Sequence, residues 1–265
     1  MPDTAPPDLA AIRAEIDRID DQLHALLMAR ARIVADMAAG RAKNGPTFRP
    51  GREMQILRRL LDNHTGPLPR TALVGVWREI IASSIAQQGG FSVAVLAPAA
   101  DAPVAALARA HFGSQTPLRI HATAPATFAA LQSGEATVAV LPVPEDGEVQ
   151  PWWPWLEAPR VQVIARLPVL DLPGPAAFIL GPGPAEPSGL DRSLFRFEPP
   201  AGQSRATLLS ALAAADLPPR RLVLSDYAAL VEVDGFLDAE DPRLAALPFP
   251  GLRHLGAFAV PGDAP

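Results

Sequence analysis

The chain has 265 residues, 49% of them apolar and 19% charged, which fits one large or two to three smaller folded domains and excludes wholesale disorder. It has no cysteine, so disulfides, thiolate metal sites, iron–sulfur clusters and a cysteine nucleophile are excluded. The net charge of −5 argues against nucleic acid as a partner, and no apolar run approaches the roughly 20 residues that span a bilayer, so a soluble cytoplasmic protein is expected.

Leu9, Ile12, Ile16, Ile19, Leu23 and Leu26 follow alternating steps of three and four, and Arg30, Ile33 and Met37 continue them. This is a coiled-coil-like seam. A helix of about 33 residues would be about 50 Å long. A 90-residue unit cannot cover such a length alone, which predicts a homodimer formed through this helix. Pro50 suits a first helical turn, and Glu53, Leu57 and Leu60 with Ile56 and Leu61 mark a second helix. A third is expected from about Arg70 to Gln88, with Leu73, Trp77, Ile80 and Ile81 on its apolar face. Near Gly89-Gly90 the composition turns proline-rich and acidic, so residues 1–90 read as an all-α domain.

From Phe91 the pattern becomes strand, helix, strand: SVAVLAP, APVAALARAHF, LRIHA, PATFAALQSG, TVAVLPV. That is an α/β unit with a parallel sheet, placed at residues 91–183. Within it PWWPW at 151–155 reads as packed cover rather than a binding platform. Residues 184–265 read β-α-β-β-α-β, the ferredoxin-like order. His24, His64, His111, His121 and His254 have no ligand-like spacing and are read as structural or surface residues; no metal site is expected.

The informative residues are polar ones on apolar faces. Arg30 stands in the seam where a leucine or isoleucine was due, and a guanidinium there must find an anion. Arg41, 11 residues on, lies about 20° off the same face, whereas Arg13 points roughly 100° away, toward a site in a partner subunit. Glu53 continues the stripe of the second helix directly after Arg52, and Ser84 and Gln88 continue that of the third. A helix bundle furnished in this way can hold a small polyanionic ligand. The plainer alternative pairs Arg30 with a protein carboxylate or lets it snorkel outward, with Ser84 and Gln88 as satisfied core groups.

IRAEIDRIDDQLHALLMARARIVADM, FRPGREMQILRRL and WREIIASSIAQQ resemble the three helices of the all-helical chorismate mutase family, over about a third of the chain. The resemblance implies a helix-swapped dimer. Within it Arg13 reaches a substrate carboxylate in the partner's pocket and Arg30 holds a carboxylate in its own. Arg41 takes the place of the family's lysine, Arg52 and Glu53 form its Arg-Glu pair with Glu53 at the ring hydroxyl, and Ser84 contacts a carboxylate. Gln88 hydrogen-bonds the ether oxygen. The substrate so implied is chorismate, and its rearrangement to prephenate needs no nucleophile, metal or cofactor. Arginine in place of lysine at 41 is not conservative, because its donors lie in a plane; the chain's lone lysine, Lys43, is two residues on.

SVAVLAPAADAPVAALARAHFG and GEATVAVLPVPEDGEV are similar to prephenate dehydratase, which follows the mutase in the bifunctional family, and the last segment resembles its ACT regulatory domain. The dehydratase motifs are eroded. Leu96-Ala97-Pro98-Ala99-Ala100-Asp101 replaces a glycine-rich turn, Pro144-Glu145-Asp146-Gly147 an Asn-Ser loop, and Ala176-Ala177-Phe178 a Thr-Arg-Phe. The stretch from Gln150 to Gly174 is too short for the usual second lobe, so no dehydratase activity is expected. Gly202-Gln203-Ser204-Arg205 and Leu224-Ser225-Asp226 replace the phenylalanine-binding signatures of the ACT domain. Two alternatives to a chorismate mutase remain: a non-catalytic metabolite-sensing or regulatory protein on the same scaffold, and an isochorismate pyruvate lyase.

Overall fold

The computed structural model describes residues 8–40, 47–156, 160–170 and 172–262. Its first part is three helices, α1 (Leu9–Gly40), α2 (Pro50–Asp62) and α3 (Arg70–Gln87), at the positions the apolar spacing indicates. Two prolines frame α2 and α3. Pro50 opens α2 at its first turn, where a missing N–H costs nothing, and Pro69 precedes the first residue of α3.

The second part is β1 (Val93–Leu96), α4 (Pro103–Phe112), β2 (Leu118–His121), α5 (Ala124–Gln132), β3 (Val138–Pro142), β4 (Val161–Leu167) and β5 (Ala177–Pro182). It continues as β6 (Asp191–Phe197), α6 (Arg205–Ala214), β7 (Pro219–Leu224), β8 (Ala229–Asp234), α7 (Pro242–Ala245) and β9 (Arg253–Ala259). The nine strands form one sheet in the order β2-β1-β3-β5-β4-β9-β6-β8-β7. β1 pairs in parallel with β2 and β3, which the short apolar strands and intervening helices require. The last four strands are antiparallel to their neighbours among themselves.

A boundary at residue 183 therefore divides the sequence but not the sheet. Its two halves meet where β4 runs parallel to β9, with Val163 opposite Gly256. Gly256 has φ +130, and a Cβ there would lie 2.1 Å from the Val163 carbonyl oxygen, so only glycine permits this approach.

The helical part is not separate from the sheet either. Phe48, Ile81 and Ile85 share a core with Phe91, Val93, Phe112 and Ile179, while Met54, Leu57, Leu61 and Val74 pack with Val169 and Ala259. Arg58 of α2 reinforces this contact by donating to the carbonyls of Val260 (2.7 Å), Ser188 (2.9 Å) and Leu190. α5 and the tryptophan turn Trp153–Trp155 pack in a further core with Phe178 and Leu180. Trp152 and Trp153 are buried cover as expected, but Trp155 is 71% exposed. Among the described residues, no helix is long and apolar enough to cross a membrane.

Candidate active site

α1 buries none of its residues. Leu9, Ile12, Ile16, Ile19, Leu23, Leu26, Ile33 and Met37 are all exposed, a continuous apolar seam facing solvent in the single chain. Its neighbour is α3, and at that contact Arg30 is half-buried. The Arg30 guanidinium donates through Nη1 to the Ser84 hydroxyl and, at 3.5 Å, to the Ile80 carbonyl. Ser84, itself buried, donates to the same carbonyl at 2.8 Å. Burial pulls the Arg30 pKa below its ordinary value, and among the described residues no carboxylate offsets that pull. Among the described residues Arg30 is thus neither paired with an acid nor fully turned out to water: its positive charge is partly desolvated and turned toward a hydroxyl.

Gln88 caps α3 one turn beyond Ser84, and its Nε2 donates to the Ser84 carbonyl at 3.0 Å. Arg30, Ser84 and Gln88 are therefore brought together. The Ser84 hydroxyl and carbonyl are engaged, and the Arg30 guanidinium keeps further N–H donors, which suits an anionic or oxygen-rich ligand.

Glu53 is placed differently. It is buried on α2, and its Oε2 accepts from Arg78 Nη1 of α3 at 2.7 Å, with side chains 4% (Arg78) and 10% (Glu53) exposed. Arg78 Nε donates to the His111 carbonyl of α4 at 3.0 Å, so the pair lies at the junction of both helices with the α/β region. Arg78 Nη2 and His111 Nε2 are buried without partners among the described residues. Burial first, and the Arg78 charge second, hold the His111 pKa well below 6.5, so the imidazole is neutral.

Arg78 is the residue that sequence reasoning missed. The apolar face expected for the third helix was Leu73, Trp77, Ile80 and Ile81, but Trp77 and Ile80 are only half-buried. The buried stripe runs Val74, Arg78, Ile81, Ile85, in steps of four, three and four. That spacing was the available signal, of the same kind as the one that singles out Arg30.

The other expected site residues lie apart. Arg52 is exposed and reaches Gln55 at 3.4 Å. Arg13 is exposed, 17 residues from Arg30 along α1 and hence roughly 25 Å away. Arg41 and Lys43 lie outside the described residues. In the α/β region, Ala177 and Phe178 are buried in β5, and Asp146 is tied down by the Leu224 N–H at 2.8 Å and Arg205 at 2.7 Å. Among the described residues no cluster of His, Asp and Glu is arranged to hold a metal.

Residues 12–89 match the family described as chorismate mutase type II, so the helical part is a chorismate mutase type II domain. Over about half of its length the chain is similar to bifunctional chorismate mutase/prephenate dehydratases. That of Stutzerimonas stutzeri is 29% identical over 146 residues, covering 53% of this chain and 40% of that protein. This span exceeds the helical domain, so the similarity continues into the α/β region. The chain spans no more than 40% of the length of the curated relatives it matches. Two solved structures align with TM-scores below one half. One, described as GqqA, a novel type of quorum quenching acylase, has 21% identity and a TM-score of 0.46, covering 63% of this chain and 94% of that one. The other is prephenate dehydratase in complex with L-Phe from Arthrobacter aurescens, at 16% identity and a TM-score of 0.45, covering 66% of this chain and 91% of that one.

Proposed function

We propose that the protein is a chorismate mutase, converting chorismate to prephenate in aromatic amino acid biosynthesis as a cytoplasmic homodimer exchanged through α1. The observation that carries this reading is the Arg30 guanidinium, half-buried against Ser84 with no carboxylate partner among the described residues. A substrate carboxylate is the anion it lacks. The unimolecular rearrangement asks the protein to bind a dianion in its reactive conformer and stabilise charge on the ether oxygen, which Gln88 and Arg41 would do. Arg52 and Glu53 would serve the ring hydroxyl end, with Glu53 exchanging Arg78 for substrate. The bare seam of α1 supports the dimer, and Arg13, about 25 Å from Arg30, then belongs to the partner's pocket.

The α/β region is read as a dehydratase-like unit without dehydratase activity. Its candidate hydroxyl position is Ala176-Ala177, where no proton is available to give. The segment 184–265 is read as ACT-like: β6-α6-β7-β8-α7-β9 with the strand order β9-β6-β8-β7 supports the ferredoxin-like topology. A second reading, a non-catalytic sensor of an aromatic metabolite, is favoured by the engagement of Glu53 with Arg78.

The experiment is to follow chorismate with the full-length protein and identify the product. Prephenate establishes the mutase, and phenylpyruvate from added prephenate would overturn the loss of dehydration. Pyruvate and salicylate from isochorismate would indicate a lyase, and chorismate bound but unchanged would indicate the sensor.

A further inference from the structure

The α/β region holds an open cleft of about 1280 Å³ that the mutase reading does not use. Leu96 at the end of β1 and the turn from β2 into α5 form one side; the 147–152 loop and the β7–β8 turn form the other. In open α/β sheets the carboxyl ends of the parallel strands are where ligands bind. Four aromatic residues line the cleft: Phe128, Trp152, Trp155 and Tyr227. Trp155 and Tyr227 stand at its mouth, 71% and 47% exposed, with ring centroids 6.1 Å apart and planes tilted by 57°. The neighbouring Trp153 is buried, whereas Trp155 with Tyr227 presents two exposed ring faces at the mouth.

The charge of the cleft is one-sided. Among the described residues, Glu148 and Asp226 line it, and no lysine, arginine or histidine does. Neither carboxylate forms an ion pair among the described residues. Glu148 accepts the Glu145 N–H at 2.7 Å, and its burial raises its pKa. The basic residues nearby stand outside the lining: Arg205 pairs with Asp146, Arg221 donates to the Pro144 carbonyl while its charge partly offsets the effect of burial on Glu148, and Arg196 lies within electrostatic range of Tyr227. The start of α5 offers an anion little, because Pro125 has no N–H and the Ala126 N–H is taken by the Thr123 hydroxyl at 3.4 Å.

We propose that this cleft binds an organic cation, a protonated amine carried on an aromatic or apolar body. The amine sits by Glu148 and Asp226 and against the faces of Trp155 and Tyr227, where ring quadrupoles attract positive charge, and the body fills the space beside Phe128 and Trp152. The same charges turn away polyanions, so the chain carries two sites of opposite preference, and this one stands whether or not Arg30 serves a mutase.

The test uses full-length protein and equilibrium dialysis with 2-phenylethylammonium at neutral pH, against 3-phenylpropionate, an anion of nearly the same shape. Saturable binding is expected, at least about tenfold tighter for the amine. Glu148→Gln and Trp155→Ala, both at solvent-accessible positions, should each weaken it about tenfold with unchanged far-ultraviolet circular dichroism; Tyr227→Ala reads the same site should Glu148→Gln fail to fold. No saturation by the amine, equal or tighter binding of the anion, or binding indifferent to these folded variants would each overturn the proposal.

Discussion

Glu53 and Arg78 form an ion pair of 2.7 Å in the core shared by α2, α3 and α4, and Arg78 ties it to the α/β region through the His111 carbonyl. A pair so buried contributes little net stability over an apolar substitute, but removing one partner leaves the other charge uncompensated. Arg78→Met should therefore destabilise the protein by about 3–5 kcal/mol. The double variant Glu53→Met/Arg78→Met should recover most of that loss. Urea unfolding of the three proteins checks this, and a double variant no better than Arg78→Met would show that the pair is not an isolated two-body contact.

Arg30→Ala should reduce mutase turnover by at least about a hundredfold while leaving helicity and association unchanged. It sits where α1 meets α3, partly exposed, so the fold does not depend on it. Steady-state assay with circular dichroism and sedimentation decides the matter, and a near-native rate would remove Arg30 from the site. Mixing Arg13→Ala with Arg30→Ala subunits should restore part of the activity, since one pocket of the mixed dimer then keeps both arginines. Verified mixed dimers that stay inactive would end the idea of a shared pocket.

How much of this could be read from the sequence differs by element. The seam of α1 was legible because steps of three and four leave few alternatives, and the parallel strands because each is a short apolar run between helices. Arg30 announced itself as a charge in that seam. Arg78 did not, because α3 is covered by α2 on one side and by α4 and the sheet on another, so apolar residues on more than one face, Leu73, Trp77 and Ile80 among them, compete with the stripe that Arg78 occupies. The union of two sheet halves through Val163 and Gly256 is a contact over 90 residues apart, which no local periodicity encodes.

His111 gives the protein an acid-sensitive side. Its folded pKa lies well below the ordinary 6.5, so below that value the unfolded chain binds a proton that the folded chain refuses. Stability is full above about pH 6.5 and falls as the pH drops toward the folded pKa, with a limiting slope of about 1.4 kcal/mol per pH unit for this group. His254, also lowered by burial, adds to the slope in the same direction. His111→Gln, measured by urea unfolding from pH 7.5 down to 5, should show a shallower loss than the parent protein. Parallel curves would mean that His111 is protonated without cost in the folded state.

Gly256 is the position at which one methyl group should separate the two sheet halves. At φ +130 an L side chain is strained whatever the space, and here there is none: a Cβ would lie 2.1 Å from the Val163 carbonyl oxygen and 2.8 Å from its nitrogen. The neighbour is backbone in the middle of β4, held on its other side by β5, so it cannot yield alone. Gly256→Ala should cost at least about 2 kcal/mol, combining strain with loss of the β4–β9 pairing. The damage should also be local. Hydrogen exchange should accelerate along β4 and β9 before it does at β1 and β3, which pair without their help. Gly262→Ala is the control: its φ is also positive, at +87, but a Cβ there meets only the flexible end of Leu190 at 3.3 Å, so it should cost less and leave exchange in β4 unchanged. Equal costs for the two variants would mean that backbone conformation alone, and not the approach to Val163, fixes glycine at 256.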